Sequence, residues 1–224
     1  PTVGDPQFRA RQYFPPDVAG NAAVTDLDTP LVYVVDDDAA LRDSLRWLLE
    51  SAGHRVAACA GAEAFLATYA ADQGGCLLLD IRMPGMSGLE LQDELRRRGH
   101  AIPIVFITGH GDVPMAVNAV KKGAFEFVEK PFNAQALLVL IDHALDMDAE
   151  ARRVAARFGR LTKREREVMD CIVAGKRNQD IAAELSISIK TVEAHRAGVM
   201  RKMRVDSLAG LVKLVQSAGA PRHR

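Results

Sequence analysis

The chain has 224 residues, enough for one large domain or two ordinary ones. Hydrophobic residues make up 48% and charged residues 26%, the balance expected of a soluble globular protein, and no apolar run approaches the roughly 20 residues of a membrane-spanning helix, which excludes that class. The net charge of zero hides a split: residues 1–158 carry 15 Lys and Arg against 22 Asp and Glu, whereas residues 159–224 carry 14 against 7, so two domains with different partners are expected.

Residues 1–30 contain five of the ten prolines and no sustained periodicity, and are expected to form a disordered N-terminal arm. The arm lacks the basic-then-apolar pattern of a secretion signal. It begins at Pro1, so removal of an initiator methionine is expected. The cysteines, Cys59, Cys76 and Cys171, are far apart and form no CxxC pair. Two of them lie in apolar runs, so buried thiols in a reducing cytoplasm are predicted.

From residue 31 the pattern alternates. LVYVV (31–35), HRVAACA (54–60), CLLLD (76–80), IPIVFIT (102–108) and FEFVEK (125–130) read as five short strands. Amphipathic segments lie between them. Leu41, Leu45, Leu48 and Leu49 share one face of a helix that Gly53 ends, and a second such helix ends at Gly99. Strand–helix alternation implies βαβ units, hence an α/β domain over 31–145 with a doubly wound, five-stranded parallel sheet. Residues 134–158 form one long helical pattern, with Leu137, Ile141, Ala144, Ala151, Ala155 and Phe158 near a/d spacing and Asp148 interrupting them. Its second half, 146–159, reads as a linker helix, either pairing in a dimer or solvated. Residues 160–224 are helical throughout, and Thr162 with Glu165 three positions on fits a capping box.

In open parallel sheets, ligands sit outside the carboxyl ends of the strands. Asp36, Asp37 and Asp38 follow the first strand, Asp80 the third, Thr108 the fourth and Lys130 the fifth. Crowded aspartates repel one another. A hard divalent cation held by oxygen, Mg²⁺ for preference, relieves the repulsion if it sits among Asp36, Asp37 and Asp80. Asp38 is left out of that set because it suits the N-cap of the following helix. A metal, a central carboxylate, a hydroxyl and a lysine also suit phosphoryl transfer, with Asp80 as nucleophile and Thr108 and Lys130 meeting the phosphoryl oxygens. Rival motifs fail on spacing. GHGDVP is not GxGxxG, GMSGL misses the GxSxG elbow by one residue, and neither a Walker A loop nor HExxH occurs.

The Asp36–Asp37 pair, LLLDIRMPGMSG, IVFITGHGD and FEFVEKPF together resemble, in order, the motifs of a response-regulator receiver domain. That resemblance implies a flavodoxin-like fold in which Asp80 accepts phosphate from a partner sensor histidine kinase. It implies Mg²⁺ on Asp37 and Asp80, with the backbone carbonyl of Arg82 as a further ligand and Asp36 acting through water. It places Phe127 and Thr108 where the family carries its switch residues, and makes a cis Lys130–Pro131 bond an expectation.

NQDIAAELSISIKTVEAHRAGVMRKM has the helix–turn–helix layout, with a core stripe of Val192, Val199 and Met203 in its second helix. Such a basic helix suits the major groove of DNA. LTKREREV, NQDIAAELSIS and KTVEAHR resemble the LuxR-type (NarL/FixJ) DNA-binding domain. By that likeness Lys190, Thr191, Glu193, His195, Arg196 and Arg201 lie on the DNA-facing helix, with Lys190 and Arg196 foremost. The resemblance thus implies a cytoplasmic transcription regulator rather than an enzyme. Its expected partners are a histidine kinase, double-stranded promoter DNA, RNA polymerase and a second copy of itself upon phosphorylation. The alternatives are a phosphate sink, a constitutive DNA-binding protein whose receiver does not gate binding, and an aspartyl-phosphate hydrolase, for which no substrate-pocket motif is found.

Overall fold

The computed structural model describes residues 29–109 and 119–217. The N-terminal arm, up to residue 28, lies outside them. In chain order the elements are β1 (Leu31–Val35), α1 (Ala39–Ser51), β2 (Arg55–Cys59), α2 (Ala62–Thr68), β3 (Gly75–Asp80), α3 (Gly88–Arg97), β4 (Ile104–Thr108), β5 (Glu126–Glu129), α4 (Ala134–Gly159), α5 (Lys163–Val173), α6 (Asn178–Leu185), α7 (Ile189–Met203) and α8 (Leu208–Ser217).

The five strands form one parallel sheet in the order β2-β1-β3-β4-β5. Alternation along each strand sends side chains to opposite faces. On one face Tyr33, Val35, Leu77, Leu79 and Phe106 pack with Phe65 of α2 and with Leu91 and Leu95 of α3. On the other, Val32, Val34, Leu78, Val105 and Ile107 pack with Leu45 and Leu49 of α1 and with Leu137, Ile141 and Ala144 of α4. Burial on both faces is why these strands read as continuous apolar runs. β4 starts at Ile104 rather than residue 102: Pro103 has no N–H to give the ladder, although its carbonyl accepts from Leu77 N at 2.9 Å.

The helix ends follow their sequence signals. Asp38 caps α1, its Oδ1 accepting from Ala40 N at 2.9 Å and Leu41 N at 3.3 Å. Ser87 with Glu90, and Thr162 with Glu165, close capping boxes at α3 and α5. Gly99 takes φ +73° just past α3, the left-handed turn expected there.

α4 is a single helix of 26 residues, as the long helical pattern over 134–158 implies. The residues on its inner face depart from the a/d spacing. Asp148 does not interrupt its inner face but belongs to it, buried, whereas Ala151 and Ala155 are exposed and Val154 is buried in their place.

The helices after α4 surround a third core of Val168, Met169 and Ile172 (α5), Ile181 (α6), Val192, Val199 and Met203 (α7) and Leu211 (α8). Phe158, near the end of α4, packs against it.

Candidate functional site

The chain runs from β1 out to β2 and then returns past β1 to β3, so the connections after β1 and β3 leave in opposite directions and open a crevice at the carboxyl ends of those strands. The crevice collects the predicted residues. Asp36 and Asp80 are buried and Asp37 is exposed, and each offers an oxygen within 4.8 Å of the others. Lys130 reaches in from the end of β5, its Nζ 2.9 Å from Asp36 Oδ2 and 3.3 Å from Asp80 Oδ1. Arg82 N donates to Asp80 Oδ2 at 3.2 Å. Thr108 is buried at the end of β4, and its carbonyl accepts from Lys130 N at 2.8 Å, which ties the fourth and fifth rim positions together. The Lys130–Pro131 bond is cis, as expected.

Burial is the main force on Asp80 and pushes its carboxyl above the usual range; Lys130 opposes this and Asp36 adds to it. Burial also works against the Lys130 ammonium, but the hydrogen bond and charge of Asp36, followed by Asp80, outweigh it and raise its pKa. One lysine thus serves two carboxylates and leaves the cluster with surplus negative charge. Three carboxylates with converging oxygens and a net charge deficit fit a hard divalent cation.

Two contacts at this rim were not foreseen. Arg42 Nη1 donates to Asp36 O at 2.7 Å, and Asp38 N donates to Asp36 Oδ1 at 2.8 Å, so Asp36 is gripped from backbone and side chain alike. The aspartate run itself signals a need for a nearby cation, and Arg42 lies one helical turn into α1. Glu63, in the first turn of α2, accepts from Met86 N at 3.3 Å and steadies the loop after Asp80. Phe127 is half-buried, packs against the core and borders an open cleft with Phe132, Ala136 and Leu140.

In the helical part, Lys190 and Arg201 are exposed on the side of α7 opposite the Val192–Val199–Met203 stripe, and Glu193 is exposed to one side of it. His195 and Arg196 are half-buried on its flanks. Thr191 is exposed, and its backbone N–H donates to the capping Ser188 Oγ at 3.1 Å. Lys202 is drawn away from the outer face, its Nζ 2.6 Å from Glu165 Oε2.

Comparison with known proteins decides the family. Residues 32–142 match the response regulator receiver domain, and residues 160–215 match the bacterial regulatory proteins of the luxR family. The transcriptional regulatory protein FixJ of Bradyrhizobium diazoefficiens is 45% identical over 195 residues, covering 84% of this chain and 95% of its own length. This chain is a response regulator of the FixJ type. Nodulation protein W of the same organism is 42% identical over 211 residues, covering 91% of this chain and 93% of its own. Among solved structures, the response regulator StyR aligns with a TM-score of 0.55 at 48% identity, covering 84% of this chain and 99% of that one. Full-length FixJ from B. japonicum aligns with a TM-score of 0.50 at 43% identity, covering 86% and 98%. As in that family, the response regulator joins a five-stranded parallel receiver to a helix–turn–helix domain. Among the described residues, no helix is long and apolar enough to cross a membrane.

Proposed function

We propose that the chain is a phosphorylation-dependent transcription regulator whose Asp80 accepts a phosphoryl group from a sensor histidine kinase. The observation that carries this reading is Lys130, held between Asp36 and Asp80 at the strand ends, in the same chain as a basic helix–turn–helix unit. In the transfer, an Asp80 carboxylate oxygen forms the new P–O bond as the P–N bond to the donor histidine breaks, and the histidine keeps the electron pair and takes up a proton. Asp36, Asp37, Asp80 and the Arg82 carbonyl are the groups that would hold Mg²⁺. That ion supplies charge neutralisation for the incoming phosphoryl oxygens. Lys130 orients and neutralises a phosphoryl oxygen, Thr108 donates to another, and the buried floor of the crevice keeps water from the acyl phosphate. Thr108 and Phe127 are the residues placed to relay the change outward. Lys190, Thr191, Glu193, His195, Arg196 and Arg201 form the DNA-facing set, with Lys and Arg neutralising phosphates. Phosphorylation promotes a homodimer that binds paired half-sites in promoter DNA and meets RNA polymerase there, in the cytoplasm.

The test is binding to a promoter-region DNA library, with and without a small phosphodonor plus Mg²⁺, at fixed salt. Enrichment of specific sites by phosphodonor is expected in the wild type and absent in Asp80→Asn, and Arg196→Ala weakens binding with folding intact. Stable labelling of Asp80→Asn overturns the site. Equal enrichment in every sample overturns the gating and favours a constitutive DNA-binding protein.

A further inference from the structure

The second half of α4 carries a cluster that lies between the two matched family segments, 32–142 and 160–215. Asp148 is 5% exposed. Its Oδ2 accepts from Gly75 N at 2.9 Å and from Arg152 Nε at 2.7 Å. The Arg152 guanidinium then donates to the loop that precedes β3: Nη1 to Asp72 O at 2.8 Å, and Nη2 to Ala71 O at 3.3 Å and to Gln73 O. A guanidinium has five donors in a rigid fork, and here the fork is set into a crown of carbonyls with a carboxylate beside it.

The seat is shaped for this occupant. A Cβ on Gly74 would lie 3.2 Å from Asp148 Oδ2 and 3.3 Å from Arg152 Nε, and one on Gly75 would lie 2.0 Å from Leu31 O. The double glycine therefore lets the helix and β1 approach together. Leu31 N also donates to Gly74 O at 2.9 Å, so the loop is fastened to the first strand. Six residues beyond Arg152, Phe158 packs into the core of the helical domain, and its carbonyl accepts from Arg166 Nη2 at 3.0 Å. Fewer than two helical turns separate the anchor on the receiver from the anchor on the DNA-binding unit.

We propose that Asp148 and Arg152 form a latch on the 71–75 loop, at the sheet end remote from Asp80, that restrains DNA binding by the unphosphorylated chain. Two anchors this close on a continuous helix hold the helical domain in one placement beside the receiver. Paired half-sites on DNA require placements set by the DNA. A domain confined to another placement binds with an affinity lowered by the fraction of chains that are competent. Removing Arg152 leaves the buried Asp148 carboxylate without a charge partner, so the loss of one member loosens the other. This inference takes DNA binding as the output, as proposed above; the latch itself is read without DNA.

The experiment uses the full chain as wild type, Arg152→Ala, Arg152→Lys and Asp148→Asn, each shown to unfold cooperatively. Hydrogen exchange at the Gly75 amide and across 148–158 reads the latch, and DNA binding without phosphodonor, at fixed salt, reads the restraint. Faster exchange with a rise in unphosphorylated affinity of about fivefold or more is expected, the low end for coupled sites. Arg152→Ala removes a positive charge, which by itself weakens DNA binding, so a rise has no electrostatic explanation. Arg152→Lys, whose single ammonium cannot span the crown, is expected to share the effect in part. Unchanged exchange shows that there is no latch, and faster exchange with unchanged or weaker affinity shows that the latch restrains nothing. Either result overturns the proposal. If wild type fails to respond to phosphodonor while the variants gain affinity, the phosphorylation reading fails and the latch stands.

Discussion

Gly88→Ala tests whether backbone position, rather than the mere presence of Asp80, sets reactivity at the strand ends. Gly88 begins α3 directly behind Asp80, and its N–H donates to Ile81 O at 2.9 Å. A Cβ at that position would stand 2.2 Å from Asp80 O and 3.1 Å from Ile81 Cα. Carbon–oxygen contacts in proteins run at about 3.3–3.6 Å, so the end of β3 and the start of α3 must part by roughly 1 Å. Both sides of this contact are backbone, so no rotamer change relieves it. Overpacking of this kind costs about 1–3 kcal/mol, which a receiver with two full cores survives. The reaction is less tolerant: a 1 Å displacement of a reacting group costs about 100-fold in rate. The assay is the rate of phosphorylation by a small phosphodonor at saturating Mg²⁺, with thermal unfolding run alongside. Gly61→Ala, at the same rim, is the control, because its Cβ would meet nothing nearer than Glu63 Oε2 at 3.8 Å. A folded Gly88→Ala protein that takes phosphate within about threefold of wild type would refute the reasoning.

Two further outcomes follow from named contacts. Asp38→Ala is expected to cost about 1 kcal/mol as a lost cap while leaving Mg²⁺ affinity by calorimetry intact, whereas Asp37→Ala weakens Mg²⁺ binding by about tenfold or more; equal losses of Mg²⁺ in both would make Asp38 a ligand. The Lys202 hydrogen bond leads the causes that hold the Glu165 carboxyl down at about 2, against the desolvation that pushes it up. A depressed carboxyl adds stability that is complete above its unfolded pKa and is lost as pH falls toward the folded one, so the helical domain should weaken between about pH 5 and pH 2. Lys202→Met should lower its stability at neutral pH by about 1–2 kcal/mol and flatten that acid limb in urea titrations followed by circular dichroism; an unchanged limb would place the pH sensitivity elsewhere.

Strands buried on both faces were the most legible part of the molecule. β1 and β3 declare themselves as apolar runs ending in carboxylates, and the rim then follows from reading the residue after each strand. Asp36, Asp37, Asp80 and Lys130 come together as their order in the chain implied. The capping signals at Asp38 and Thr162 were equally plain, because a cap depends on residues a few positions apart. What escaped depends on partners without pattern. Asp148 reads as an interruption because a buried carboxylate is unusual, and its reason for being buried, the amide of Gly75, lies 73 residues away. The carbonyls that receive Arg152 carry no side-chain signature at all. Lys202 reads as one more basic residue on an outward face, and only the close approach of α5 and α7 at Gly198, where a Cβ would fall 2.7 Å from Glu165 Oε1, shows why it turns inward.

The continuity of α4 sets a ruler inside the protein. Its 26 residues, at a rise of 1.5 Å each, span about 39 Å, with no proline and with glycine only at the final position. Such a helix has no built-in joint. While Asp148 and Arg152 stay fastened to the receiver, the helix passes rotation and axial shift from one end to the other, and any change of angle between the domains falls at its termini. Insertions into it are therefore quantised in effect. Each added residue turns the helical domain by about 100° and carries it 1.5 Å further out, so whole-turn insertions preserve the facing of the DNA-binding helix and half-turn insertions reverse it.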